Sequence, residues 1–189
     1  AGHPLLRREI ARLYDGLALE EALVLAPEEG IFLAMQALLH PGDHVVVTYP
    51  GYQSLYAVAE SLGCRVERWT PRAVAGAWRF RVDGLAALLR PDTRLVVINF
   101  PHNPTGALIT ADEQAEVLRL TGAYGARLFS DEMYRDVEHD PRGRLPAACE
   151  LDDRAVSLGG LSKSLCLPGL RIGWLATRDR ALLAAVAAL

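Results

Sequence analysis

Short runs of β-branched residues recur along this chain between amphipathic stretches of helical period, and that alternation constrains its fold more than any other feature. Val45 to Thr48, Cys64 to Trp69, Arg94 to Asn99, Arg127 to Ser130, Ala155 to Leu158 and Ile172 to Thr177 read as strands. Glu29 to Leu39, Tyr52 to Leu62, Val82 to Leu89 and Thr110 to Tyr124 read as helices, and Ala181 to Leu189 as a helix still running at the last residue. Strands that alternate with helices predict an α/β fold. Thr110 with Glu113 three residues on supplies a capping box, because each side chain can bind the other's backbone amide. Turn signals separate the elements: HPGD at 40–43, YPGY at 49–52 and the proline-punctuated FPHNPTG at 100–106. No repeat, low-complexity tract or linker interrupts the 189 residues, so one domain is expected.

Composition removes several function classes. With 51% hydrophobic residues, 23% charged residues and a net charge of -3, the chain suits a soluble globular protein and lacks the basic excess of a nucleic-acid binder. Charge or proline breaks each apolar run well short of a bilayer's thickness, and the first residues carry no basic-then-apolar signal segment. Neither membrane anchoring nor export is expected. Cys64, Cys149 and Cys166 are odd in number, widely spaced and outside any CxxC pair, which disfavours a disulfide framework or zinc site and fits a reducing, cytoplasmic setting. His3, His40, His44, His102 and His139 show no metal-ligand spacing and are expected on the surface or at caps.

The chemistry concentrates in three segments. Lys163 lies in SLGGLSKSLCLPGLRIGW, flanked by Ser162 and Ser164, with Arg171 eight residues later beyond a Pro-Gly turn. A lone lysine is ordinarily a solvated charge, but this one follows the strand-like AVSLGG. Asp131 ends the apolar run ARLFSD, at the carboxyl end of a strand, where open α/β sheets bind ligands. Tyr134 follows three residues later. Asn103 stands between Pro101 and Pro104, and Pro104 keeps it out of the helical region, presenting its side chain from an extended or turn backbone compatible with a cis Asn103–Pro104 bond. An amine, an acid, hydrogen-bond donors and a guanidinium are what an aldehyde cofactor bearing a phosphate requires.

The motifs SKxxxLPGLRxGW, HNPTG and DExY, in this chain's order, resemble class I and II aminotransferases of the aspartate aminotransferase type, and the resemblance runs over nearly the whole chain. It implies the pyridoxal phosphate (PLP) binding large domain of a fold-type I enzyme: a three-layer α/β/α arrangement with a mainly parallel mixed sheet. By resemblance Lys163 holds PLP as a Schiff base and later carries protons, Asp131 partners the pyridine nitrogen, and Tyr134 and Asn103 bind the phenolic oxygen. Arg171 and Ser162 hold the phosphate, and Tyr52 stacks on the ring. The implied reaction moves an amino group between an α-amino acid and a 2-oxo acid. The resemblance also implies a homodimer with its site at the subunit interface, and an N-terminal arm and smaller C-terminal domain outside residues 1–189. The arginine that clamps the substrate carboxylate commonly belongs to that second domain.

Three positions depart from the family pattern. In LVLAPEEGIF, Ala26 stands where glycine is expected, Pro27 has no N–H to give, and Glu28 and Glu29 bring negative charge to a helix start that should meet phosphate. Backbone amides beside Pro27, those of Ala26 and Glu28, are expected to contact the phosphate. Gly160 replaces a serine, and Cys166 replaces a glycine. Two other readings stay open: a lyase, cyclase or oxidase on the same scaffold, and an aminotransferase-like effector domain of a transcription regulator. Ala1 to Tyr14 shows no DNA-reading segment basic enough for the latter.

Overall fold

Residues 2–189 are described by a computed structural model, in which the β-branched runs form the centre. In chain order the elements are α1 (Pro4–Ala11), β1 (Ala22–Leu25), α2 (Pro27–Leu38), β2 (His44–Thr48), α3 (Ser54–Ser61), β3 (Arg65–Trp69), β4 (Arg72–Val74) and β5 (Ala77–Arg79). There follow α4 (Val82–Ala86), β6 (Thr93–Asn99), α5 (Ala111–Ala123), β7 (Arg127–Asp131), α6 (Ala148–Leu151), β8 (Val156–Gly160), β9 (Gly173–Ala176) and α7 (Arg180–Ala188). Seven strands make one sheet in the order β1-β9-β8-β7-β6-β2-β3. The block from β3 to β8 is parallel, whereas β9 runs antiparallel to both β8 and β1.

Both faces of the sheet are covered, which is why its strands read as continuous apolar runs. Val45, Val47, Leu95, Val97 and Leu158 point to one side, under Ile31 and Met35 of α2, Leu55 of α3 and Leu183 of α7. Val46, Val96, Ile98 and Leu128 point to the other, against Leu85 of α4 and Val117 of α5. The result is a three-layer α/β/α fold with a mainly parallel mixed sheet. Each such side chain withdrawn from water contributes about 1.5–3 kcal/mol before chain entropy is charged against it. The Thr110 capping box forms as expected: its hydroxyl accepts from the Glu113 amide at 3.1 Å, and the Glu113 carboxylate accepts from the Thr110 amide at 2.7 Å.

Several elements differ from the sequence reading. α3 starts at Ser54, so Tyr52 stands ahead of the helix and not within it. α4 is shorter than expected, ending at Ala86. α1, β1, α6 and the β4–β5 hairpin are additional. β1 is four residues long and α6 is four, too short for periodicity to declare them. α1 is announced only by Pro4 in its first turn and by His3, whose ring accepts from the Leu5 amide at 3.2 Å. His44 and His102 are buried, correcting the surface expectation for both. His44 Nδ1 lies 2.9 Å from the Thr93 hydroxyl and His102 Nδ1 lies 2.7 Å from that of Thr105, so each imidazole has a local partner in the core. Burial lowers the His102 pKa to about 4, which keeps the ring neutral.

Candidate active site

Parallel strands that stop together leave a ledge at their carboxyl ends. Here Asn99 on β6 is the register partner of Asp131 on β7, and Asp131 that of Leu158 on β8. Above this ledge lies a cavity of about 210 Å³. Of the predicted site residues, Pro27, Glu28, Tyr52, Asn103, Asp131, Tyr134, Ser162, Lys163 and Arg171 all line it, and Ala26 does not. They converge from five places: the start of α2, the turn before α3, the loop after β6, the end of β7 with the loop that follows it, and the loop joining β8 to β9.

Asp131 is the buried floor of the site, only 4% exposed. Its Oδ1 accepts from the Met133 amide at 3.1 Å. Burial raises its pKa to about 7, the negative charge of Glu28 adds to the rise, and the Met133 amide and the Lys163 ammonium oppose it. Lys163 stands over the Tyr134 ring, its Nζ 5.3 Å from the ring centroid. It is also the sole lysine in the sequence, every other cationic side chain of the Lys and Arg type being arginine. Arg171 ends a short helical turn with φ 54°, and its Nη1 donates to the Pro168 carbonyl at 3.0 Å. The Asn103–Pro104 bond is cis.

The departures from the family pattern sit in different local settings. At Gly160 an added Cβ would sit 2.9 Å from the Met133 thioether and 3.2 Å from the Ile172 carbonyl, so a serine there would require Met133 to move aside. Cys166 has φ 53°, the left-handed region that glycine ordinarily fills. At the start of α2 the Ala26 amide donates to the Glu29 carboxylate at 3.1 Å. That corrects the expectation of an Ala26 contact to a bound anion: the amide is engaged within the helix start and Ala26 lies off the cavity wall. Tyr52 is half exposed, and its hydroxyl donates to Glu28 Oε2 at 2.7 Å, a bond that raises its pKa above the usual tyrosine value. Ser54 donates its hydroxyl to the other Glu28 oxygen.

Sequence reasoning missed Asn99, which lines the cavity and is 1% exposed. Its Nδ2 donates to the Asp131 carbonyl at 2.9 Å, and its Oδ1 accepts from the Asn103 amide at 2.8 Å. A polar residue closing the apolar run RLVVIN was the available signal, since a buried amide needs partners at both ends. Glu132 was missed as well. It is buried, its Oε1 accepts from the Ala148 amide and the Ser157 hydroxyl at 2.8 Å each, and burial raises its pKa to about 7.

The donor set fits PLP on chemical grounds. Lys163 offers an amine to an aldehyde, the buried Asp131 an acid suited to a ring nitrogen, Tyr134 and Asn103 hydrogen bonds, and Arg171 and Ser162 a cation and a hydroxyl for a phosphate. Pro27, without an N–H, and the acidic Glu28 supply less to the anion than the usual helix start.

The sequence profile of aminotransferase class I and II matches residues 1–189. The chain is 42% identical over 146 residues to capreomycidine synthase of Streptomyces vinaceus, an overlap covering 77% of this chain and 37% of that protein. It is 35% identical over 180 residues to the arginine–pyruvate transaminase AruH of Pseudomonas aeruginosa, covering 92% and 46%. The chain thus spans less than half the length of these relatives. The crystal structure of a PLP-dependent aminotransferase from Streptococcus suis 89-1591 superposes with a TM-score of 0.91 at 32% identity, over 98% of this chain and 49% of that one. A profile matched end to end, a shared α/β/α fold and one cavity gathering the motif residues lead to the same place: this chain belongs to the class I and II aminotransferases.

Proposed function

We propose that the protein transfers an amino group between an α-amino acid and a 2-oxo acid with PLP as cofactor, and that residues 1–189 are its cofactor-binding large domain. The observation that carries this reading is the convergence of Lys163, Asp131 and Arg171 on one cavity at the carboxyl edge of the sheet. When bound, PLP supplies an aldehyde that exchanges amino groups and a ring that accepts the electron pair left at the substrate Cα. Lys163, on the cavity wall, would supply the amine that holds the aldehyde and, when released from it, a base for the proton at the substrate Cα. Asp131, buried and with its pKa raised by that burial, would face the ring nitrogen and hold it protonated. Tyr134 and Asn103 would hydrogen-bond the phenolic oxygen, Arg171 and Ser162 would hold the phosphate, and Tyr52 would pack on the ring. As in the family, a homodimer completes the site, and no contact with nucleic acid or membrane is part of this reading. Among the described residues no helix is long and apolar enough to cross a membrane.

The test uses the full-length protein. Borohydride reduction in the presence of PLP is expected to fix the cofactor to the peptide containing Lys163, and an amino acid plus a 2-oxo acid are expected to exchange amino groups. Attachment elsewhere, or exchange that survives Lys163→Ala, would overturn the assignment. A second reading is favoured by the relative of higher identity, named a synthase and not a transaminase: a rearrangement or ring closure on an amino acid that keeps its nitrogen. Product that retains the labelled α-nitrogen, formed without a 2-oxo acid, would select that reading.

A further inference from the structure

Glu28 stands on the cavity wall at the start of α2, where its charge works against a bound phosphate. Closing the helix start does not account for it, because Glu29 already does so by accepting from the Ala26 amide at 3.1 Å. What Glu28 holds is the turn ahead of α3. The Tyr52 hydroxyl donates to its Oε2 at 2.7 Å and the Ser54 hydroxyl to its Oε1, so one carboxylate gathers the side chains on either side of Gln53.

Tyr52 is a residue that needs such a hold. It follows Gly51, precedes the helix and is half exposed, so packing alone does not fix its ring. Ordering a side chain of that kind only when a ligand arrives costs roughly 2- to 10-fold in affinity. A hydrogen bond to a carboxylate is shorter and stronger than one between neutral groups, and here it orders the ring beforehand. The phenol registers the bond: its pKa is raised above the usual tyrosine value, chiefly by Glu28. Ser54, on the other oxygen, keeps the carboxylate turned toward Tyr52.

We propose that Glu28 is a positioning residue: with Ser54 it clamps Tyr52 in the orientation that packs on the cofactor ring, and so serves the ring and not the phosphate. This rests on the reading of Tyr52 as the ring's neighbour, and its test needs no turnover. Full-length cofactor-free protein is titrated with PLP and with pyridoxal, which has the ring and aldehyde without the phosphate, and binding is followed by visible absorbance and induced circular dichroism. Glu28→Ala removes the clamp, and Tyr52→Phe keeps the ring but loses the hydroxyl. Each is expected to weaken pyridoxal by roughly 3- to 10-fold and to reduce its induced dichroism, and the double variant to be no weaker than either single one, since both break the same bond. Glu28→Gln is expected to recover most of the affinity, because its carbonyl oxygen still accepts from Tyr52 although the charge is gone. Additive losses, or a Gln variant as weak as the Ala variant, overturn the proposal. So does an effect confined to PLP with pyridoxal untouched, which would assign Glu28 to the phosphate. A wild type that binds neither compound sinks the cofactor reading instead. The clamp is then judged in the cofactor-free protein, by nuclear magnetic resonance of ring-labelled tyrosine with the Tyr52 signal identified by its loss in Tyr52→Phe. There the Tyr52 phenol is expected to ionise at lower pH in Glu28→Ala than in wild type, and an unshifted titration overturns the proposal.

Discussion

The Asn99 side-chain amide donates to the main-chain carbonyl of Asp131 at 2.9 Å, across the β6–β7 ladder on which the two residues are register partners. Its carbonyl end accepts from the Asn103 amide at 2.8 Å. One buried side chain therefore sets the spacing between the acid at the floor of the cavity and the loop that carries Asn103.

Asn99→Ala would leave the Asp131 carbonyl and the Asn103 N–H with water or nothing. A buried group stripped of its partner costs about 1–3 kcal/mol, and the expected loss of stability lies in that range, read from the denaturant midpoint at constant m-value. A midpoint unchanged from wild type would show that the loop satisfies itself without Asn99.

Stability of the cofactor-free protein is expected to fall as pH rises. Asp131 and Glu132 both have pKa values raised to about 7 by burial, so between pH of about 4 and 7 the folded protein holds protons that the unfolded chain has released. The stabilisation is complete below the unfolded values and is lost as pH climbs through the folded ones, on the order of 3 to 4 kcal/mol for each group. Asp131→Asn should flatten the profile by its share, and bound PLP should do the same if its ring nitrogen takes the Asp131 proton. Denaturation measured at half-unit intervals from pH 5 to pH 8 checks the slope. Stability that rises over this range contradicts the assignment of buried, protonated carboxyls.

Arg171→Ala is expected to weaken PLP much more than it weakens pyridoxal, which lacks the phosphate. Stripping one partner from a charge-assisted pair costs roughly 2–5 kcal/mol where the other charge is left without a partner, and less where water reaches it. Equal loss for both ligands would make Arg171 a support for its own turn and not a phosphate contact.

Gly159→Ala should damage the fold from behind the site. The new Cβ would stand 2.6 Å from Cε2 and Nε1 of Trp174, a ring that cannot swing freely because its N–H donates to the Tyr14 hydroxyl at 2.7 Å. Overpacking of this kind costs about 1–3 kcal/mol. A lower melting temperature with altered near-ultraviolet dichroism of the tryptophans is expected. An unchanged melting temperature would mean that β9 can shift to make room.

The fold was legible wherever a buried strand carried a run of Val, Leu and Ile, because β2, β6, β7 and β8 announce themselves by composition alone. Direction was not legible: β9 reads like its neighbours and runs the other way, since periodicity carries no sign. Nor were α1 and α6, whose few buried positions leave little pattern. The gathering of Lys163, Asp131 and Asn103 could be expected from motif order and from the habit of parallel sheets to bind at their carboxyl edge. What sequence could not show is mutual engagement. That Tyr52 spends its hydroxyl on Glu28, that Glu29 closes the Ala26 amide, and that Asn99 ties two strands together all depend on distances between segments many residues apart.

The reversal of β9 has a mechanical result. Gly160 and Gly173 are register partners, and the ladder continues into the bond from the Leu161 amide to the Ile172 carbonyl at 3.0 Å. The segment between them is thus an arch with both feet clamped, Lys163 close above one foot and Arg171 close above the other. The span between amine and guanidinium is fixed by the spacing of two adjacent strands and not by the contour of the arch. Its crown, residues 165–170, is solvent-exposed yet folded back onto the feet: the Leu167 amide donates to the Leu161 carbonyl at 2.9 Å, and Arg171 Nη1 to the Pro168 carbonyl at 3.0 Å. A single-residue insertion at either foot would therefore alter the gauge of the site, and one in the crown would break the bonds that hold it to the feet.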